Sequence, residues 1–90
     1  MGLVEAEVAR LDALSLARTP DEARAAADAG GVAIVIAMEG AHGLGEGDWG
    51  AALDAFYARG LRMLGVTWSF SNRFAGSSGD GGGGLTDEGR

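Results

Sequence analysis

Apolar positions recur at helical spacing in the first stretch of the chain. Val4, Val8, Leu11 and Leu14 share one face, and Glu5, Glu7, Arg10 and Asp12 fall mostly elsewhere, which predicts an amphipathic surface helix. Thr19-Pro20-Asp21-Glu22 follows, combining an N-cap hydroxyl, a proline at the first helical position and a glutamate three residues after the threonine. These are helix-start signals. The body of that second helix, Ala23 to Ala29, is nearly all small residues that can lie close against a sheet, before Gly30 and Gly31 end it.

The pattern then changes. Val32 to Met38 is apolar without alternation and rich in β-branched residues, which predicts a central strand buried on both faces, as in parallel sheets. A glycine-broken loop, Gly40 to Gly47, leads to Asp48 as N-cap of a third helix. That helix carries Trp49, Leu53, Phe56 and Tyr57 at helical spacing and stops at Arg59-Gly60. Leu61 to Thr67 predicts a second strand. A long polar loop containing Trp68, Phe70, Asn72 and the run Gly79 to Gly84 leads to Thr86-Asp87-Glu88, the expected start of another helix.

Strands separated by helices imply parallel pairing, with right-handed crossovers and functional loops at the carboxyl ends of the strands. Two parallel strands cannot cover each other's faces and edges. Residues 1–90 are therefore expected to form a single partial domain, an internal fragment of something larger, whose pattern stops at Arg90 within the first turn of a helix.

Composition narrows the function classes. At 90 residues, 47% hydrophobic and 22% charged, the chain is globular in character, with a thin core at this size. A net charge of −6, with seven arginines and no lysine, offers no basic stripe for a phosphate backbone, so no nucleic-acid partner is expected. Cysteine is absent, so any metal must be held by oxygen or imidazole. The longest apolar run is far shorter than the ~20 residues needed to span a bilayer, and Met1 is not followed by a signal-like segment. No membrane contact is expected from this segment, and a cytoplasmic location is favoured.

Glu39 follows the apolar strand directly and precedes Gly40. A carboxylate there either pairs with an arginine or a helix N-terminus, or serves a metal or catalytic site. His42, the only histidine, lies three residues on. Flanking glycines make the helical form of a Glu-x-x-His ligand pair improbable, so His42 is read as a direct ligand or as a loop-ordering or substrate-facing residue. Gly79 to Gly84 satisfies G-x-G-x-x-G by letter but stands more than ten residues from the strand end, so it is read as a flexible loop. No Lys-Ser or Lys-Thr follows it, which excludes a P-loop. Trp49, Phe56 and Tyr57 are expected in the core. Trp68, just past a strand end, either lines a pocket or packs.

Four segments together carry a resemblance: Val35-Ile36-Ala37-Met38-Glu39-Gly40-Ala41-His42, Phe56-Tyr57-Ala58-Arg59-Gly60, Leu61-Arg62-Met63-Leu64-Gly65-Val66-Thr67 and Gly84-Leu85-Thr86-Asp87-Glu88-Gly89-Arg90. In order and interval the chain resembles the membrane dipeptidase (renal dipeptidase) family of zinc metallopeptidases over nearly its whole length. The resemblance implies an α/β fold, a segment of a (β/α)8 TIM-type barrel of the metal-dependent amidohydrolase kind contributing about two strands with their helices. It also implies two zinc ions, a dipeptide substrate hydrolysed by a metal-bound hydroxide, and Glu39 as the carboxylate bridging the metals. His42, Trp68 and Asn72 are the substrate-binding candidates, and a homodimer is an assembly open to such a barrel.

Two departures accompany it. Val66-Thr67-Trp68 places tryptophan where family members often carry a histidine that helps bind the substrate carbonyl. The family's preceding His-x-Asp pair and two later histidines have no counterpart in these residues, so the isolated segment is expected to be inactive. Two other readings stand beside the enzyme: a catalytically inactive barrel homologue, and a small α/β binding domain in which Glu39 is structural.

Overall fold

Local punctuation sets most of the element boundaries. In the computed structural model, which describes all residues Met1–Arg90, α1 spans Gly2–Arg10, β1 Leu14–Leu16, α2 Pro20–Asp28, β2 Val32–Ile34, β3 Ile36–Glu39, α3 Trp49–Ala58 and β4 Leu61–Gly65. Short 3-10 turns cover Ala41–Leu44 and Ser78–Asp80. Thr19 caps α2, its hydroxyl accepting the Glu22 amide at 3.1 Å, and the Glu22 carboxylate reaches back to accept the Arg18 amide at 2.6 Å. Asp48 caps α3 in the same way through the Ala51 amide at 3.0 Å. Each cap satisfies an amide that the first helical turn leaves unpaired.

The architecture is mixed α/β with two small parallel sheets, β1 beside β2 and β3 beside β4. Leu14 to Leu16 run alongside Val32 to Ile34, and Ile36 to Glu39 alongside Leu61 to Gly65, with a register shift between Ile36 and Ala37. The expected single strand from Val32 to Met38 is thus divided at Val35, because its two halves serve different partners. It is also not buried on both faces: Val32, Val35 and Ala37 are exposed. β1 was not foreseen. Leu14, expected on the helical face of α1, instead begins a strand, because α1 stops at Arg10 and Leu11 turns into extended backbone.

The principal cluster lies between β3 and α3. Ala41, Leu44 and Phe74 are buried, and Met38, Trp49, Ala52, Leu53 and Phe56 pack around them. Trp49 meets Phe74 edge-on with ring centroids 5.5 Å apart, a favoured aromatic geometry. Tyr57, expected in this core, lies outside it. Its ring is exposed and carries the Arg62 guanidinium 3.9 Å from its centroid. Arg62 also donates to the carbonyls of Arg18, Tyr57 and Leu61, each at 2.8 Å, so one side chain ties the segment after β1 to the α3–β4 corner. Gly60 turns that corner at φ +115°, where an added Cβ would meet Leu16 Cδ2 at 3.1 Å.

The last twenty residues form an ordered loop. Instead of a flexible tract, Gly81 to Gly84 take four successive positive φ angles, a backbone path that only glycine follows freely. Gly76 N–H donates to the Gly84 carbonyl at 2.8 Å and Gly82 N–H to that of Ser77 at 2.6 Å. Thr86 begins a single turn rather than a continuing helix. Its hydroxyl donates to the Arg73 carbonyl at 2.6 Å and accepts the Gly89 amide at 3.2 Å.

Only 11 of 90 residues are buried. The radius of gyration is 15.7 Å, against roughly 12 Å for a compact chain of this length, and the sheets leave Val32, Ala37, Met63 and Leu64 exposed. No helix is long and apolar enough to cross a membrane.

Candidate functional site

Glu39 closes β3, and its register partner on β4 is Gly65. Side chains alternate between faces along a strand. Met38 packs toward the α3 cluster, so Glu39 stands on the opposite face, with Ala37. That face holds an open depression lined by Ala37, Met38, Glu39, Met63, Leu64 and Gly65, with a volume of about 400 Å³, and Met63 there is 61% exposed. Because Gly65 has no side chain, the space beside the Glu39 carboxylate is clear. The chain's five ion pairs all use other carboxylates, those of Glu7, Asp21, Glu5, Glu88 and Asp87, so Glu39 has no arginine partner.

Gly40 links this carboxylate to a second feature. It is buried, sits at φ +98°, and is held to β4 through its amide on the Gly65 carbonyl at 3.1 Å, while the Ala41 amide bonds Val66 at 3.0 Å. A Cβ at Gly40 would fall 2.4 Å from the His42 ring and 3.5 Å from Trp68 Cβ. His42 and Trp68 therefore converge on the residue next to Glu39. Together with Ser69, Phe70, Ser71 and Asn72 they line a cleft of about 240 Å³, in which Trp68 and Phe70 are 62% and 72% exposed. All three sequence-nominated pocket residues, His42, Trp68 and Asn72, thus share one cleft. Glu39 lines the adjoining depression.

Asn72 enters that cleft with its polar atoms already engaged. Its amide nitrogen donates to the Val66 carbonyl at 2.8 Å, and its oxygen accepts the Phe74 and Ala75 amides at 2.9 and 3.3 Å. It clamps the loop to the end of β4. Beneath the cleft wall, Ser77 is almost wholly buried and its hydroxyl donates to the Trp68 carbonyl at 2.8 Å. The Ser77 amide donates to the Ser71 hydroxyl oxygen at 2.9 Å. Ser71 in turn donates through its hydroxyl and its amide to the Asp80 carboxylate, at 2.5 and 2.7 Å. These bonds, the hydroxyl first, hold the Asp80 carboxyl below the usual aspartate range. Ser71, Ser77 and Asp80 carry no signal of their own in the sequence. The loop that assembles them brings together residues nine apart, and no local pattern announces it.

No three His, Asp or Glu side chains converge where a cation could be held. A zinc ion takes about four ligands, so the chain alone does not fit a whole metal centre. Glu39 fits one ligand position: an oxygen donor, unpaired, on an open face.

The fold and these groups define a parallel α/β protein with its candidate side chains gathered where the strands end, the arrangement of many α/β enzymes. Comparison with known families makes the class specific. The family model described as Membrane dipeptidase (Peptidase family M19) matches residues 2–90, and the chain belongs to that family of peptidases. No curated protein and no solved structure matched it.

Proposed function

We propose that this chain is one segment of a (β/α)8 barrel of the amidohydrolase type and that the complete protein is a zinc-dependent dipeptidase in which Glu39 bridges two metal ions. The observation that carries this reading is the placement of Glu39: an unpaired carboxylate at the carboxyl end of a parallel strand, on the face turned away from α3, beside the cleared position of Gly65. In a closed barrel that face lines the interior mouth, where catalytic groups collect. The remaining ligands come from other parts of the barrel, since none converge here. When bound, such ions supply polarisation of the peptide carbonyl and acidification of water. Glu39 holds and spaces them as a ligand and is not the proton-accepting base. The exposed sheet faces and the extended shape support a partial domain over a small, self-sufficient binding module.

The test is zinc content together with dipeptide turnover in the full-length protein. Glu39→Ala is expected to lower bound zinc and to abolish hydrolysis while leaving far-ultraviolet circular dichroism unchanged. Full zinc content and turnover in that variant would remove Glu39 from the metal centre.

A second reading rests on Trp68, which stands where relatives often carry a substrate-binding histidine. It is a catalytically inactive barrel homologue that binds ligands. Normal zinc content with no hydrolysis of any dipeptide in the unmutated protein would favour it.

A further inference from the structure

The cleft beside Glu39 has a chemical character of its own. Two of its walls are the exposed aromatic side chains of Trp68 and Phe70. No arginine and no carboxylate lines it, and His42 is its one titratable group. The Asn72 oxygen is taken by the Phe74 and Ala75 amides and one of its two amide hydrogens by Val66, and the Ser71 hydroxyl is engaged with Asp80 and Ser77. What remains open to a ligand is two aromatic surfaces, an imidazole, the Ser69 hydroxyl and one amide hydrogen of Asn72. A cleft so lined has no partner for a charged side chain, whose burial unpaired is costly, and offers ring faces and edges to another ring.

Size limits the occupant further. At about 240 Å³ the cleft is smaller than the roughly 300–1,000 Å³ of sites that enclose a whole drug-sized ligand. It has room for one side chain. Its position points to the molecule that brings that side chain, because His42 and Trp68 both abut Gly40, the residue after Glu39. A dipeptide whose peptide bond lies near Glu39 reaches the cleft with a neighbouring side chain.

We propose that the cleft between His42 and the Trp68–Phe70 wall is a specificity subsite that takes one uncharged aromatic side chain of the dipeptide. This inference rests on the dipeptidase reading above and goes beyond it by naming the preferred substrate class. Trp68 and Phe70 supply the contact surface. Ser77, through the Trp68 carbonyl, and Asn72, through the Val66 carbonyl, are positioning residues that hold the wall in place.

The experiment uses the full-length protein, with two readouts at pH 8: binding to metal-free protein by titration calorimetry, and kcat/KM of the zinc-loaded protein. The probes are Phe-Gly and Gly-Phe against Ala-Gly, Gly-Ala, Lys-Gly and Gly-Asp. A phenylalanine dipeptide of one order or the other is expected to bind about tenfold tighter than its alanine and charged counterparts, with the same ranking in kcat/KM. Trp68→Ala and, separately, Phe70→Ala are expected to flatten that ranking, and Trp68→Phe to keep most of it. Far-ultraviolet circular dichroism of each variant, expected unchanged, separates loss of the subsite from loss of the fold. Glu39→Ala is expected to abolish turnover and leave the binding preference intact.

Glu39-dependent turnover with no preference for the aromatic dipeptide, or a preference that survives both alanine variants, overturns the subsite while leaving the dipeptidase reading standing. Loss of the dipeptidase reading with retention of a Trp68-dependent binding preference has the opposite meaning: the cleft remains an aromatic-side-chain site in a protein that does not hydrolyse.

Discussion

Replacing Gly40 by alanine tests the joint between Glu39 and the cleft. At φ +98° an L-residue carries backbone strain of about 1–3 kcal/mol. The segment cannot escape by rotating, because the Gly40 and Ala41 amides are fixed to the Gly65 and Val66 carbonyls at 3.1 and 3.0 Å. The new methyl also meets the His42 ring at 2.4 Å. That contact is cheap to relieve, since the imidazole is exposed and can swing aside. The backbone term therefore dominates. Urea denaturation of the full-length protein should show Gly40→Ala destabilised by about 1–3 kcal/mol, and the same loss, within about 0.5 kcal/mol, when it is made in a His42→Ala background. A cost that vanishes without His42 would falsify the account by showing that sterics, not φ, set the conformation. A loss below about 0.5 kcal/mol, ordinary for surface changes, would refute it altogether.

Two other outcomes follow from the contacts. Arg62→Ala removes three bonds to carbonyls and the stacking on Tyr57 and should cost about 2 kcal/mol in the same denaturation assay; Arg62→Lys should recover less than half, because an ammonium cannot reproduce the planar fork. The Asp80 latch is pH-dependent in one direction. Its carboxyl is held low in the folded loop by the Ser71 hydroxyl and amide, so its contribution is complete above the ordinary aspartate range and is lost as pH falls through the depressed folded value. Amide exchange at Ser71, corrected for intrinsic rates, should show constant protection from neutral pH down to about 5 and weakening below about 4, and Asp80→Asn should remove that dependence.

What could be read from sequence was what depends on neighbours in the chain. Thr19-Pro20, Asp48 and Gly60 act through caps and turns only a few residues wide, and the α2 start, the α3 start and the α3–β4 corner lie where they indicate. Parallel pairing followed from helices alternating with strands. The division of Val32 to Glu39 at Val35 was not legible, because it arises from partners, Leu14 to Leu16 and Leu61 to Gly65, that lie on either side in the chain. β1 itself is three residues long, too short to show a period. At the site, His42, Trp68 and Asn72 were named and share a cleft, yet the engagement of Asn72 with the backbone could not be foreseen, since an asparagine in a polar loop is written identically whether its amide is free or spent. The glycine run misled for a related reason. Composition reports freedom of the unfolded chain, whereas here positive φ angles and close carbonyl approaches, such as that of Gly82 to Gly76, use the missing side chains to build an ordered loop.

The hand-over at Val35 bears on how the chain acquires its structure. Each parallel pair is closed by one intervening helix, α2 for Leu14 with Val32 and α3 for Ile36 with Leu61. Loop-closure entropy rises only with the logarithm of loop length, so the two closures, each around one helix, cost about the same, and neither requires the other to have formed. As the chain leaves the ribosome, the β1–α2–β2 unit can assemble before β4 has been made, and the second unit then extends a strand whose first half is already paired. On this route the two β-α-β units are joined in sequence, the second pairing along the edge of a strand that the first has already begun.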